Sequence, residues 1–119
     1  VEKVYEVLWQ ATEIGINAAI PGATTFDVFN AMNKVISEVS VAGNNVGRLG
    51  HGLGLQLTEP PSHRDEDKTV IKENMVLTIE PGLEYAPGKM IVHEENIIIN
   101  KDGAELITKR APKEIPIIK

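Results

Sequence analysis

The run Met75-Val76-Leu77-Thr78-Ile79-Glu80-Pro81-Gly82 decides how this chain is read. Residues 76–80 form a strand in this reading, because aliphatic and β-branched side chains suit a pleated backbone. Pro81-Gly82 ends it, since proline cannot donate to a ladder. Strand side chains alternate faces, so Thr78 and Glu80 point the same way. A second strand is expected over 91–100, with Val92, Glu94 and Asn96 on one face and His93, Glu95 and Ile97 on the other. Lys101-Asp102-Gly103 reads as a hairpin turn, followed by a third strand over 104–108. If the first two strands pair, Glu80 and Glu94 converge. Two converging carboxylates repel unless a cation lies between them. Each also has an ordinary alternative: an edge strand with one face in water for Glu94, and a solvent-facing strand end for Glu80.

Upstream the period changes. Val4, Val7, Leu8, Ala11, Ile14 and Ala18 recur at spacings of three and four, which predicts a helix over 2–19. Pro21-Gly22 stops it. Thr24 or Thr25 can cap a second helix, with Asp27 favourable in its first turn. Val28, Phe29, Met32, Val35, Ile36 and Val39 supply that helix's buried face up to about residue 39. A glycine-rich segment follows, with Gly43, Gly47, Gly50, Gly52 and Gly54, and it is strand-like over 51–57. Residues 59–74, with Pro60-Pro61 and a charged run over 64–68, read as an exposed loop, and 82–89 as a turn-rich connection. The tail from Lys109 is assigned no element. Helix, helix, then antiparallel strands is an α+β order, with two helices packed on a sheet.

The chain has 119 residues, enough for one domain, and its 42% apolar and 24% charged content is that of an ordinary globular protein. A net charge of -5 argues against a nucleic-acid surface, which needs clustered Lys and Arg. No apolar run approaches the ~18 residues of a membrane span. There is no Cys, so a metal here must be held by His, Asp and Glu, and a reducing, cytoplasmic setting is expected. The first residue is Val and the first helix starts at once, which suggests a processed chain or a piece of a longer one. His51, flanked by glycines, is open to close approach; a lone His is more often structural. Together with Glu80 and Glu94 it makes a nitrogen-and-oxygen donor set suited to Mn, Fe, Co or Zn.

The motifs Gly50-His51-Gly52-Leu53-Gly54-Leu55, Glu59-Pro60-Pro61, the run 75–82, Glu94-Glu95-Asn96 and Asp102-Gly103-Ala104-Glu105-Leu106-Ile107-Thr108 resemble, in order and spacing, the pita-bread-fold metallohydrolases. That family includes methionine aminopeptidase, prolidase, Xaa-Pro aminopeptidase and creatinase. The likeness covers nearly the whole chain. It implies a pseudo-duplicated fold of helix-helix-sheet halves, of which 1–119 is the carboxy-terminal half. It also implies two divalent ions held by two Asp, one His and two Glu. His51, Glu80 and Glu94 match three of these ligands; the two Asp lie upstream of the first helix. Glu80 matches the general base and Glu94 the residue that bridges the ions. The implied reaction is Xaa-Pro peptide hydrolysis by a metal-bridging water, in a homodimer when intact, with this part inactive alone. A creatinase-like or other small-molecule hydrolase or lyase, or a metal-free binding module, is the alternative. Two positions depart from the proline-directed pattern: Thr58 stands where a second His is usual, and Val92 where an Arg is usual. A Thr hydroxyl can donate a hydrogen bond but cannot hold positive charge. Thr58 and His63 are the substrate-binding candidates, while His93 faces away from Glu94.

Overall fold

The computed structural model describes residues 1–40 and 47–118. The part of the glycine-rich segment around Gly43 lies outside the described residues. Helix α1 spans Glu2–Ala18 and helix α2 spans Thr25–Ile36. Thr24 is the cap that starts α2. Its hydroxyl accepts from the Asp27 N–H at 3.1 Å, and the Asp27 carboxylate accepts from the Thr24 N–H at 2.9 Å. The two bonds satisfy N–H groups that a helix start would otherwise leave without partners. The second helix ends at Ile36 rather than near 39, capped by Ser37, whose N–H bonds the Asn33 carbonyl. Val39 still packs on the core from beyond the helix end.

Among the described residues seven strands follow: β1 His51–Gly52, β2 Glu59–Ser62, β3 Val76–Ile79, β4 Gly82–Ala86, β5 Lys89–Val92, β6 Glu95–Asn100 and β7 Gly103–Leu106. Five form an antiparallel sheet in the order β2-β1-β3-β6-β7, while β4 and β5 form a separate hairpin. Leu8, Ala11, Val28, Met32 and Ile36 from the helices meet Leu77, Ile79, Ile97 and Ile99 from the sheet in one core. Each large aliphatic side chain removed from water contributes about 1.5–3 kcal/mol. The helices approach closely at Gly15, where a Cβ would lie 2.6 Å from Met32 Sδ and 2.9 Å from Ile79 Cγ2.

Several expectations need correction. The connection over 82–89 is a strand and turn, because Gly82–Ala86 finds a partner in Lys89–Val92. The strand expected over 91–100 is interrupted at His93-Glu94, with its two parts in different sheets. The segment 59–74 is not simply an exposed loop: 59–62 forms β2, and His63 and Ile71 are buried. The strand-like reading of 51–57 holds only for His51–Gly52.

The interruption at 93–94 leaves the pairing register intact. Ile79 pairs with Glu95 on one side of it and Gly82 with Val92 on the other. The His93 N–H bonds the Pro81 carbonyl at 2.9 Å, in the same register. One long hairpin therefore runs through both sheets and bends where Pro81 cannot donate a ladder bond. Among the described residues, no helix is long and apolar enough to cross a membrane.

Candidate metal centre

The register decides what meets at the bend. Thr78 pairs with Asn96 and Ile79 with Glu95, so one further step sets Glu80 opposite Glu94. On the other edge of β3, Gly52 pairs with Leu77, and the Glu80 N–H bonds the Leu49 carbonyl at 3.0 Å. That pairing places His51 beside Thr78, whose hydroxyl accepts the His51 N–H at 3.0 Å. Strand β1, the residue just past the end of β3 and the residue just before β6 thus each present one donor at the same level. One donor atom from each of His51, Glu80 and Glu94 lies within 4.8 Å of the other two. His51 is buried, Glu80 half-buried and Glu94 exposed.

His51 Nδ1 lies 2.8 Å from the Gly52 carbonyl. A carbonyl only accepts, so Nδ1 carries the proton, and in the neutral ring Nε2 is left with a free lone pair. Nε2 sits 3.4 Å from Glu80 Oε2. A lone pair and two carboxylates facing one another are mutually repulsive without a positive charge among them. A divalent cation meets that need: metal–ligand bonds of ~2.0–2.2 Å put two ligands of one ion at most ~4.4 Å apart, so small side-chain adjustments close the site. The donor set fits such an ion.

The approach of β1 to β3 depends on Gly50, whose φ is +140°; a Cβ there would overlap the Thr78 carbonyl oxygen and the His63 ring. Backbone on one side and an enclosed ring on the other leave nothing free to yield. Gly50→Ala is expected to cost about 1–3 kcal/mol through overpacking and strain, read as a lower urea midpoint. An unchanged midpoint would mean that β1 has slack here.

His63 is fully buried. Its carbonyl accepts the Leu49 N–H at 2.7 Å and its N–H bonds the Gly50 carbonyl at 3.1 Å, which ties it to the strand leading into His51. Neither ring nitrogen has a hydrogen-bond partner among the described residues. Burial pushes the ring pKa down to about 4; the Thr78 carbonyl and the Asp67 carboxylate oppose the fall, and His51 adds to it. The Thr78 carbonyl thus favours the protonated ring without completing a hydrogen bond of ordinary geometry. Enclosed in this way, both His63 ring nitrogens are shielded from solvent. Thr58, by contrast, is exposed on the segment between β1 and β2. His93 is buried against Tyr5, with ring centroids 4.5 Å apart, and burial followed by the Arg110 charge lowers its pKa. It is not among the three converging residues.

The role of Thr78 in holding the His51 backbone was missed in reading the sequence. The signal was present: a hydroxyl two residues before Glu80, on the same face of an otherwise apolar strand.

A profile of metallopeptidase family M24 matches residues 1–101. An Xaa-Pro dipeptidase from Pyrococcus furiosus is 36% identical over 108 residues, covering 90% of this chain and 31% of the relative. Among solved structures, a dipeptidase from Pyrococcus horikoshii superposes with a TM-score of 0.85 at 32% identity, covering 94% of this chain and 32% of the other. A prolidase from Pyrococcus furiosus gives 0.84 at 33% identity, covering 92% and 33%. The chain spans about a third of the length of these proteins.

Proposed function

The chain belongs to metallopeptidase family M24, and from that premise we propose that His51, Glu80 and Glu94 are its share of a divalent-metal centre for peptide-bond hydrolysis. The observation that carries the reading is the convergence of a free imidazole lone pair from β1 with two carboxylates at the ends of β3 and β6. The likeness to prolidases and Xaa-Pro dipeptidases supports a proline-containing substrate. Bound divalent ions supply Lewis acidity and an acidified water; Mn, Co, Fe or Zn suits the donors. His51 contributes an oriented ligand, fixed by the Gly52 carbonyl and the Thr78 hydroxyl. In this reading Glu80, beside His51, accepts the proton. In this reading the exposed Thr58 meets substrate and offers a neutral hydroxyl where a proline-directed relative usually has an imidazole. Residues 1–119 form the carboxy-terminal half of the catalytic domain in this reading.

Three ligands do not complete a two-ion centre. The 119-residue chain, loaded with Mn²⁺ or Co²⁺ and dialysed, is expected to retain fewer than two ions and to leave an Xaa-Pro dipeptide intact. Elemental analysis and a peptide-hydrolysis assay read both quantities. Two ions held through dialysis would overturn the half-centre reading.

A further inference from the structure

Glu94 is exposed, and among the described residues no hydrogen bond holds its carboxylate. Its direction is set by its backbone, and the neighbouring residue is anchored unusually well. Glu95 is 3% exposed. Its Oε1 accepts the Thr108 hydroxyl at 2.6 Å, and its Oε2 accepts the Ala111 N–H at 2.7 Å and faces Arg110 Nη1 at 3.4 Å. The partners are anchored in turn. Arg110 donates to the Trp9 carbonyl at 2.9 Å, with its guanidinium 4.3 Å from the Trp9 ring centroid. The Trp9 indole N–H bonds the Ala111 carbonyl at 2.9 Å, and the Tyr5 hydroxyl bonds the Pro112 carbonyl at 2.7 Å. Thr108 also accepts the Asn96 N–H at 3.1 Å, and the Ile107 N–H bonds the Asn96 carbonyl at 2.9 Å.

These contacts all act on the residues that flank Glu94. On one side, His93 is tied to Pro81 and packed on Tyr5. On the other, Glu95 and Asn96 are tied to the segment 107–111. Side chains alternate along the strand, so a Glu95 pulled inward toward α1 turns Glu94 outward, toward Glu80. A buried carboxylate persists only when its oxygens are satisfied. Among the described residues, those bonds come from Thr108, Arg110 and Ala111.

We propose that Glu95 is the positioning residue for Glu94, and that segment 107–112 aims this ligand at Glu80 and His51 by clasping Glu95 against α1. The proposal rests on the reading of His51, Glu80 and Glu94 as a metal centre. Co²⁺ is the probe, because its visible absorption reports coordination as well as affinity. The protein and its Glu95→Gln, Thr108→Val and Val28→Ala variants are titrated well below their unfolding temperatures. Val28→Ala truncates the core in α2 and controls for destabilisation alone. Loss of a group that orients a ligand typically weakens metal binding about 10–100-fold. Glu95→Gln and Thr108→Val are therefore expected to lose about tenfold in Co²⁺ affinity with an altered spectrum, while Val28→Ala keeps both. If Glu95→Gln does not fold, Thr108→Val, a near-isosteric change that removes both bonds of the Thr108 hydroxyl, decides. Variants that bind Co²⁺ like the parent overturn the positioning role, as does an equal loss in Val28→Ala. A parent protein that binds no Co²⁺ overturns the metal-centre reading, and the positioning role falls with it.

Discussion

Glu80→Gln, made in a polypeptide that carries both halves of the fold, is expected to lower peptide hydrolysis by about 10²–10⁴-fold, the range attributed to a positioned acid–base group. Gln keeps the size of Glu but loses the charge and the capacity to take a proton. Glu80 lies 3.4 Å from His51 Nε2, so the substitution also removes an anionic donor from the proposed three-donor centre. The two consequences separate experimentally. Metal content measured alongside kcat distinguishes a variant that has lost its ions from one that keeps them and cannot move the proton. A Glu80→Gln variant that retains its metal and turns over within a few-fold of the parent would remove Glu80 from the chemistry. The His51 neighbour would then be the group to test.

The second large effect concerns stability in acid. His63 titrates in an unfolded chain near 6.5, but burial lowers its folded pKa to about 4. Between these values the unfolded state binds a proton that the folded state refuses. The folded state is therefore unpenalised above about pH 6.5, loses stability as pH falls toward 4, and levels off below that. A tenfold change in proton affinity is worth about 1.4 kcal/mol, so the loss amounts to about 3 kcal/mol. His93, also lowered by burial and the Arg110 charge, acts in the same sense. Asp67 belongs to a lower window. Burial raises its carboxyl, but the Ser62 N–H and the Thr69 and Thr25 donors outweigh this and hold it well below the usual carboxylate range. Its contribution is present above its unfolded pKa and is lost as pH falls further.

The comparison that isolates His63 is His63→Leu, followed by urea unfolding at pH 7 and pH 4.5. No ring hydrogen bond is lost among the described residues, so the variant should be near neutral at pH 7. At pH 4.5 it should be the more stable of the two by about 2–3 kcal/mol. Equal losses on acidification in both proteins would mean that the His63 ring is hydrated and titrates normally.

Much of this architecture is written in local pattern. The α1 stripe through Leu8 and Ala11, the Thr24 cap and the Pro21-Gly22 stop act over one or two turns, where periodicity and capping chemistry decide. Glu80 before Pro81 and Glu94 in the following strand could likewise be set opposite one another from alternation and hairpin logic. The family motifs marked His51 as the third member.

Other features depend on partners far away in sequence. Residues 82–89 are rich in Gly and Pro and read as a turn; only the register inherited from β3 and β6 makes 82–86 a strand. The polar surroundings of His63 gave no hint that pairing with the strand before His51 would enclose it. The segment 109–112 has no period to read, because it is held by Glu95, Trp9 and Tyr5 through side-chain-to-backbone bonds rather than by a ladder. Sequence alone determined the helices and the strand that ends just before Glu80, since these follow from neighbours along the chain, and its likeness to a family pattern pointed to three candidate ligands. Tertiary structure decided which nitrogen of His51 is free, the bend at Pro81, the enclosure of His63 and the clasp on Glu95, since burial and long-range hydrogen bonding exist only once distant segments have met.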